Sequence, residues 1–220
     1  MSQILVIEHL TLDGVMQGPG KADEDLRDGF SYGGWADADN DPVIQRVSAE
    51  RMGASWSLLA GRVTYEHFAK VWPKAAQPNP FTEALNRVQK YVVSSTLKEP
   101  LPWENSTLLS GDGASVVREL KRTHDKPLVI FGSGVLVQSL MRAQLVDECI
   151  LQIHPRVLGS GRRLFVDVSF TAFHLTESVT TKTGVLIAIY ERDLGSAVGD
   201  RKRSELVAQG ASSKSISYAR

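Results

Sequence analysis

Short apolar runs separated by stretches of helical period govern what this chain can fold into. The segments "QILVIEHL" (3–10), "SWSLLAG" (55–61), "KYVVSST" (90–96), "KPLVIF" (126–131) and "VDECILQIHP" (146–155) read as buried strands. "STLLS" (106–110) is a weaker strand candidate. Between them lie "DPVIQRVSAERMGA", "RVTYEHFAKVW", residues 80–88, "GASVVRELKRTH" and "VLVQSLMRAQ", whose apolar residues recur at three- and four-residue steps. Alternation of strand and helix predicts a mostly parallel sheet with helices on both faces, because each crossover returns over a face of the sheet. The pattern then changes. "FTAFHLTESVTTKTGVLIAIYERD" (170–193) alternates on both sides of "KTG", as an antiparallel hairpin does. The expected class is α/β, with one domain over residues 1–195 and a C-terminal antiparallel hairpin at the sheet edge.

Composition removes several function classes. Lys plus Arg and Asp plus Glu both number 25, so no whole-chain field draws this protein to nucleic acid or to an anionic membrane. An anion site must be local. Cys149 is the one cysteine, which leaves no intrachain disulfide framework and no paired-cysteine zinc site, and fits a reducing cytoplasm. The five histidines lack metal-ligand spacing, so no metal is expected. The start "MSQILVIEHLTLDG" lacks the basic opening and small-residue cleavage site of a signal peptide. No run approaches the roughly 18 apolar residues of a membrane span. Residues 196–220 are polar and basic without apolar periodicity, and read as a flexible tail.

Chemistry concentrates at strand ends. In "VIFGSGVLVQSL", Gly132, Ser133 and Gly134 join a strand to a helix; such a turn brings backbone close to a ligand and offers free helix amides. It equally suits a bare tight turn. "LLAGRVTYE" repeats the arrangement, with Gly61 ending a strand, Arg62 supplying a planar cation and Thr64 a hydroxyl. "VVSST" ends a third strand on Ser94, Ser95 and Thr96. Ligands of open parallel sheets gather beyond the carboxyl ends of the strands, so three such ends suit one molecule with several phosphates. Asp41 precedes Pro42 at a helix start and can cap the first amides. Asp13, in "LTLDG", can make an Asx turn.

In order along the chain, "LTLDG", "GRVTYE", "YVVSSTL", "FGSGVLVQSLMRAQLVDECILQIHPRVLGSGRRLF" and the terminal hairpin resemble the dihydrofolate reductase-like superfamily. They resemble most closely the C-terminal reductase domain of the bifunctional deaminase-reductase of riboflavin biosynthesis, together with its stand-alone relatives. The resemblance covers residues 3–193. It implies a dihydrofolate reductase-like fold and a reductase that moves hydride from NADPH to a small heterocyclic, imine or carbonyl compound.

By the same resemblance, Arg62, Thr64, Ser94, Ser95 and Thr96 hold the 2′-phosphate end of NADPH. Gly61 opens that turn, and Gly132, Ser133, Gly134, Val135 and Leu136 receive the pyrophosphate. Val63 stands where many relatives carry a basic or polar residue. Gly14 and Gln17 border the nicotinamide, Asp13 borders the substrate, and Asp41 is the positional match for the proton-supplying acid, with the helix cap as its other reading; apart from the resemblance, the loop residue Trp35 either lines the substrate pocket or packs under the loop. Arg162 and Arg163 are candidates for a substrate phosphate. The partners implied are a small-molecule substrate and a second copy of the chain in a homodimer. The alternative is a dimeric nucleotide-binding protein that keeps the fold without turnover. With one cysteine the chain cannot carry the deaminase zinc site.

Overall fold

The computed structural model describes residues 1–193; residues 194–220, and with them the expected tail and its boundary at 195, lie outside the described residues. The strand-like runs form β1 (Ile4–Thr11), β2 (Ser57–Gly61), β3 (Lys90–Val93), β4 (Ser106–Leu109), β5 (Leu128–Phe131) and β6 (Glu148–His154). The late alternating segment forms β7 (Phe173–Thr180) and β8 (Leu186–Arg192). All eight make one sheet in the order β4-β3-β2-β5-β1-β6-β8-β7. Pairing is parallel from β4 through β6 and antiparallel for β6 with β8 and β8 with β7.

Five helices cover the two faces: α1 (Pro42–Met52), α2 (Arg62–Val71), α3 (Pro80–Arg87), α4 (Gly113–Thr123) and α5 (Gly134–Arg142). Alternate residues of β1 separate the two cores. Ile4, Val6 and Leu10 pack with Val117 of α4 and Leu136, Val137 and Leu140 of α5. Leu5 and Ile7 pack with Ile44 and Val47 of α1, Tyr65 of α2 and Leu85 of α3. A strand apolar on both sides is stable only between two helical layers, which is why "ILVI" can be an unbroken hydrophobic run.

The helix starts follow local chemistry. Asp41 Oδ1 accepts from the Val43 amide at 2.9 Å, and Pro42 occupies the first turn, where its missing N–H costs nothing. Asn79 caps α3 and Asp112 caps α4 in the same way, each through its side chain. Neither α2 nor α5 has a side-chain cap. The long loop between β1 and α1 contains two short 3-10 turns, Arg27–Gly29 and Asp37–Asp39. It rests on a small cluster of Val15, Phe30, Trp35 and Ala36. Among the described residues, no helix is long and apolar enough to cross a membrane.

Candidate active site

The two uncapped helices open onto the same place. β2 and β5 are parallel neighbours, so their carboxyl ends deliver the starts of α2 and α5 side by side. The two turns are tied directly. The Thr64 hydroxyl accepts from the Ser133 amide at 2.9 Å, and Ser133 Oγ accepts from the Gly61 amide at 3.0 Å. Gly132 and Ser133 both take left-handed backbone, at φ +59 and +58. A Cβ on Gly132 would lie 3.0 Å from Thr64 Oγ1, so glycine is favoured on steric as well as dihedral grounds. At Gly134 a Cβ would meet Met16 Sδ at 2.6 Å.

A groove of about 1750 Å³ runs past these turns. Gly61, Arg62, Val63, Thr64, Gly132, Ser133, Gly134, Val135, Leu136 and Gln17 all line it. First-turn amides of a helix have no intrahelical partner, and neither helix here supplies a side chain to satisfy them. A bound anion would do so, helped by the positive end of each dipole. Arg62 is exposed, with Nη1 3.1 Å from Glu66 Oε2. A surface pair of this kind is weak enough for a phosphate dianion to displace.

The third turn joins less fully. Gly61 pairs with Val93 across β2 and β3, and Val93 lines the groove. Ser94 is buried, and its hydroxyl accepts from the Thr96 and Leu97 amides, which closes the turn on itself. Ser95 and Thr96 are exposed. None of these three lines the groove as it stands.

Other expected site residues support the groove, several of them from outside it. Asp13 and Gly14 do not line it. Asp13 accepts from Thr11 Oγ1 at 2.6 Å and from the Leu158 and Gly159 amides, bonds that hold its carboxyl down at about 2. It fastens the end of β1 to the segment after β6. Gln17 does the same for the long loop: its Nε2 donates to the Asp25 and Arg27 carbonyls, and its Oε1 accepts from the Arg162 amide. Trp35 is buried beneath that loop and donates from Nε1 to the Gln17 carbonyl at 2.7 Å. Asp41 is buried too, with Oδ2 accepting from the Lys182 amide, and it is absent from the groove lining. Arg162 and Arg163 line the groove but are engaged by Asp28 and Asp13.

Polar residues inside β1 and β6 were not singled out by the sequence reading as site residues, yet they face the groove. Glu8, 5% exposed, lies against the Gly132 amide, and one carboxyl oxygen has no hydrogen-bond partner. Burial pushes its carboxyl well above the usual range, with Glu24 adding a smaller push in the same direction. Opposite it, on the α1 face, His9 and Gln152 are register partners of β1 and β6 and both line the groove. The available signal was a charged or polar residue within an apolar strand, since such groups are buried only with partners or a purpose. Among the described residues, no cluster of three or more His, Cys, Asp or Glu side chains is arranged to hold a metal ion.

Comparison with known proteins agrees with this architecture. The family described as RibD C-terminal domain matches residues 3–187. The uncharacterized protein YyaP of Bacillus subtilis (strain 168) is 30% identical over 139 residues, which is 61% of this chain and 72% of YyaP. A Shewanella sp. PV-4 structure described as a riboflavin biosynthesis protein superposes with a TM-score of 0.62 at 20% identity, over 87% of this chain and 99% of that one. Dihydrofolate reductase from Enterococcus faecalis, complexed with NADP(H) and RAB-propyl, superposes with a TM-score of 0.55 at 15% identity, over 87% and 96%. A pyrimidine reductase-like protein from Corynebacterium diphtheriae gives 0.59 at 11% identity, over 88% and 93%. The eight-stranded sheet, its parallel core and its antiparallel hairpin are the dihydrofolate reductase-like fold, and this chain belongs to the RibD C-terminal domain family.

Proposed function

We propose that this protein is an NADPH-dependent reductase that delivers hydride to a small heterocyclic, imine or carbonyl compound. The observation that carries the reading is the pair of uncapped helix starts, α2 and α5, tied together by Thr64 and Ser133 on one groove. The donors fit the cofactor. Free amides at 134–136, with glycines where a Cβ would clash, suit the pyrophosphate; Arg62 and the exposed hydroxyls of Ser95 and Thr96 suit the 2′-phosphate. When bound, the nicotinamide supplies the hydride; the chain's part is to hold it against the substrate and exclude water. Gln17, held by three hydrogen bonds, keeps the long loop over the groove for that purpose.

The proton that accompanies hydride needs an acid at the groove. Asp41 caps α1 and faces Lys182, so in this reading it positions the helix. Glu8 is the buried carboxyl among those lining the groove, and burial favours its protonated form. A homodimer belongs to the same proposal: β7 is an edge strand, with Leu175 52% exposed, and the unpaired backbone groups of a sheet edge call for cover. Sedimentation of the full chain measures it.

Titration with NADPH and NADH, followed by protein fluorescence and nicotinamide emission, tests the cofactor. Tighter binding of NADPH, and its oxidation by at least one pteridine, pyrimidine or quinone, is expected. Equal affinities would remove the 2′-phosphate assignment, and binding without turnover across a broad panel would favour the non-catalytic reading.

A further inference from the structure

On the α1 face of β1 and β6 a chain of buried polar groups ends at the groove. Arg156 holds Asp39 through two contacts, Nε to Oδ2 at 2.9 Å and Nη2 to Oδ1 at 2.8 Å. The same Oδ2 lies 3.1 Å from Nδ1 of His154, a fully buried ring, and His154 Nε2 lies 2.9 Å from His9 Nδ1. Trp35 meets the His154 ring edge-on at a centroid distance of 5.2 Å, closing the chain on that side. His9 is partly exposed and lines the groove.

These contacts determine where each hydrogen sits. The Arg156 hydrogen bonds hold the Asp39 carboxyl below its ordinary range, so it is an acceptor. His154 must then donate from Nδ1. Burial lowers the tendency of both imidazoles to protonate, taking His9 down to about 3, and Arg156 already balances the one nearby carboxylate. A neutral His154 that donates from Nδ1 accepts at Nε2, so His9 donates from Nδ1. His9 Nε2 is left as a bare lone pair toward the groove.

Gln152 adds a second acceptor beside it. The single Ser48 hydroxyl hydrogen goes to the Ile44 carbonyl at 2.9 Å, so Ser48 Oγ accepts from Gln152 Nε2 at 3.0 Å. Gln152 Oε1 is then a buried acceptor with no donor, on a residue 2% exposed. The other groove-lining residues on this face include Ile7, Ile44, Met52, Trp56 and Phe131. A ligand that brings only acceptors to this edge leaves His9 Nε2 and Gln152 Oε1 unpaired beside those side chains, and is disfavoured there.

We propose that His9, locked in one tautomer by His154 and Asp39, and Gln152 form an acceptor-only edge that selects planar ligands offering N–H or O–H donors along one side. Within the reductase reading this edge positions the substrate. Carboxylates, phosphates and quinones without ring N–H are disfavoured on it.

Two measurements test this, and neither requires turnover. Long-range 1H–15N spectra of the histidine rings in the full chain report the tautomers directly; His9 protonated on Nδ1 is expected, and His9 protonated on Nε2 overturns the proposal. Binding of 2-aminobenzimidazole, which has donors on one edge, is compared with 2-methylbenzoxazole, its donor-free isostere, with and without NADPH. At least about tenfold tighter binding of the former follows from leaving a buried acceptor unpaired with the latter. His9→Phe and Gln152→Met should each erode that ratio. Ratios within twofold in the unmutated protein, or a full preference retained in His9→Phe, overturn it. Because the ratio is measured without cofactor as well, its failure is distinct from a failure to bind NADPH.

Discussion

Thr64 is where the fold and the cofactor groove can be separated experimentally. Thr64→Val keeps the shape of the side chain and removes the acceptor of the Ser133 amide, so no cavity term arises. A part-buried amide left without its partner costs about 1–2 kcal/mol. That bond also supports Ser133 in a left-handed conformation, which for a non-glycine residue carries about 1–2 kcal/mol of its own. Losing the bond allows the turn to relax and recovers part of that strain. The net expectation is a stability loss of about 1 kcal/mol, with NADPH affinity falling about tenfold as the α5 amides leave their arrangement against α2. Urea unfolding followed by tryptophan fluorescence reads the first quantity, since Trp35, Trp56 and Trp103 are buried, and NADPH titration reads the second. Thr64→Ser retains the hydroxyl and should restore affinity. Unchanged affinity in Thr64→Val, alongside the expected stability loss, would refute the claim that the Thr64–Ser133 link preorganises the groove.

Further outcomes follow from other groups. Arg62→Ala should leave stability within about 0.5 kcal/mol, since its pair with Glu66 is exposed. It should also weaken NADPH by about 10- to 100-fold while leaving NADH nearly unchanged; parallel titrations distinguish this from a general loss. Glu8 has a folded-state carboxyl raised above its unfolded value, so its stabilising share is fully present below the ordinary carboxyl range and is lost as pH rises through the raised value. Urea midpoints across that window should fall for the unmutated protein and stay flatter for Glu8→Gln. Asp39 has the opposite sign: held low by Arg156, its share is present above the ordinary carboxyl range and lost as pH falls through the lowered value. Asp39→Asn should cost roughly 2–3 kcal/mol at neutral pH, and a loss near zero would mean that Arg156 and His154 find other partners.

The layout of the sheet was legible because it rests on local signals. Unbroken apolar runs marked the strands of the parallel core, the two-sided alternation around "KTG" marked β7 and β8, and Asp41 with Pro42 marked the start of α1. The linkage of the first two turns was legible as composition, while its mechanism was not: Thr64 and Ser133 are 69 residues apart and meet only because β2 and β5 are neighbours. The same limit hid the polar chain from Asp39 through His154 to His9. Each member reads locally as an unremarkable loop or strand residue, and the hydrogen bonds span more than 100 positions. Trp35 illustrates the converse. A tryptophan in a glycine-rich loop can line a pocket or pack under the loop, and only the folded chain shows that the loop turns back and buries the ring in a cluster with Val15 and Phe30.

The central claim is that the starts of α2 and α5 form one anion-binding groove for the cofactor. Backbone amide shifts of the 15N-labelled full chain during NADPH titration test it most directly. The account predicts that residues 61–64 and 132–136 move together at one dissociation constant, with the changes near Arg62 largely absent when NADH replaces NADPH. Shifts confined to one of the two turns, or centred elsewhere on the sheet, would contradict it.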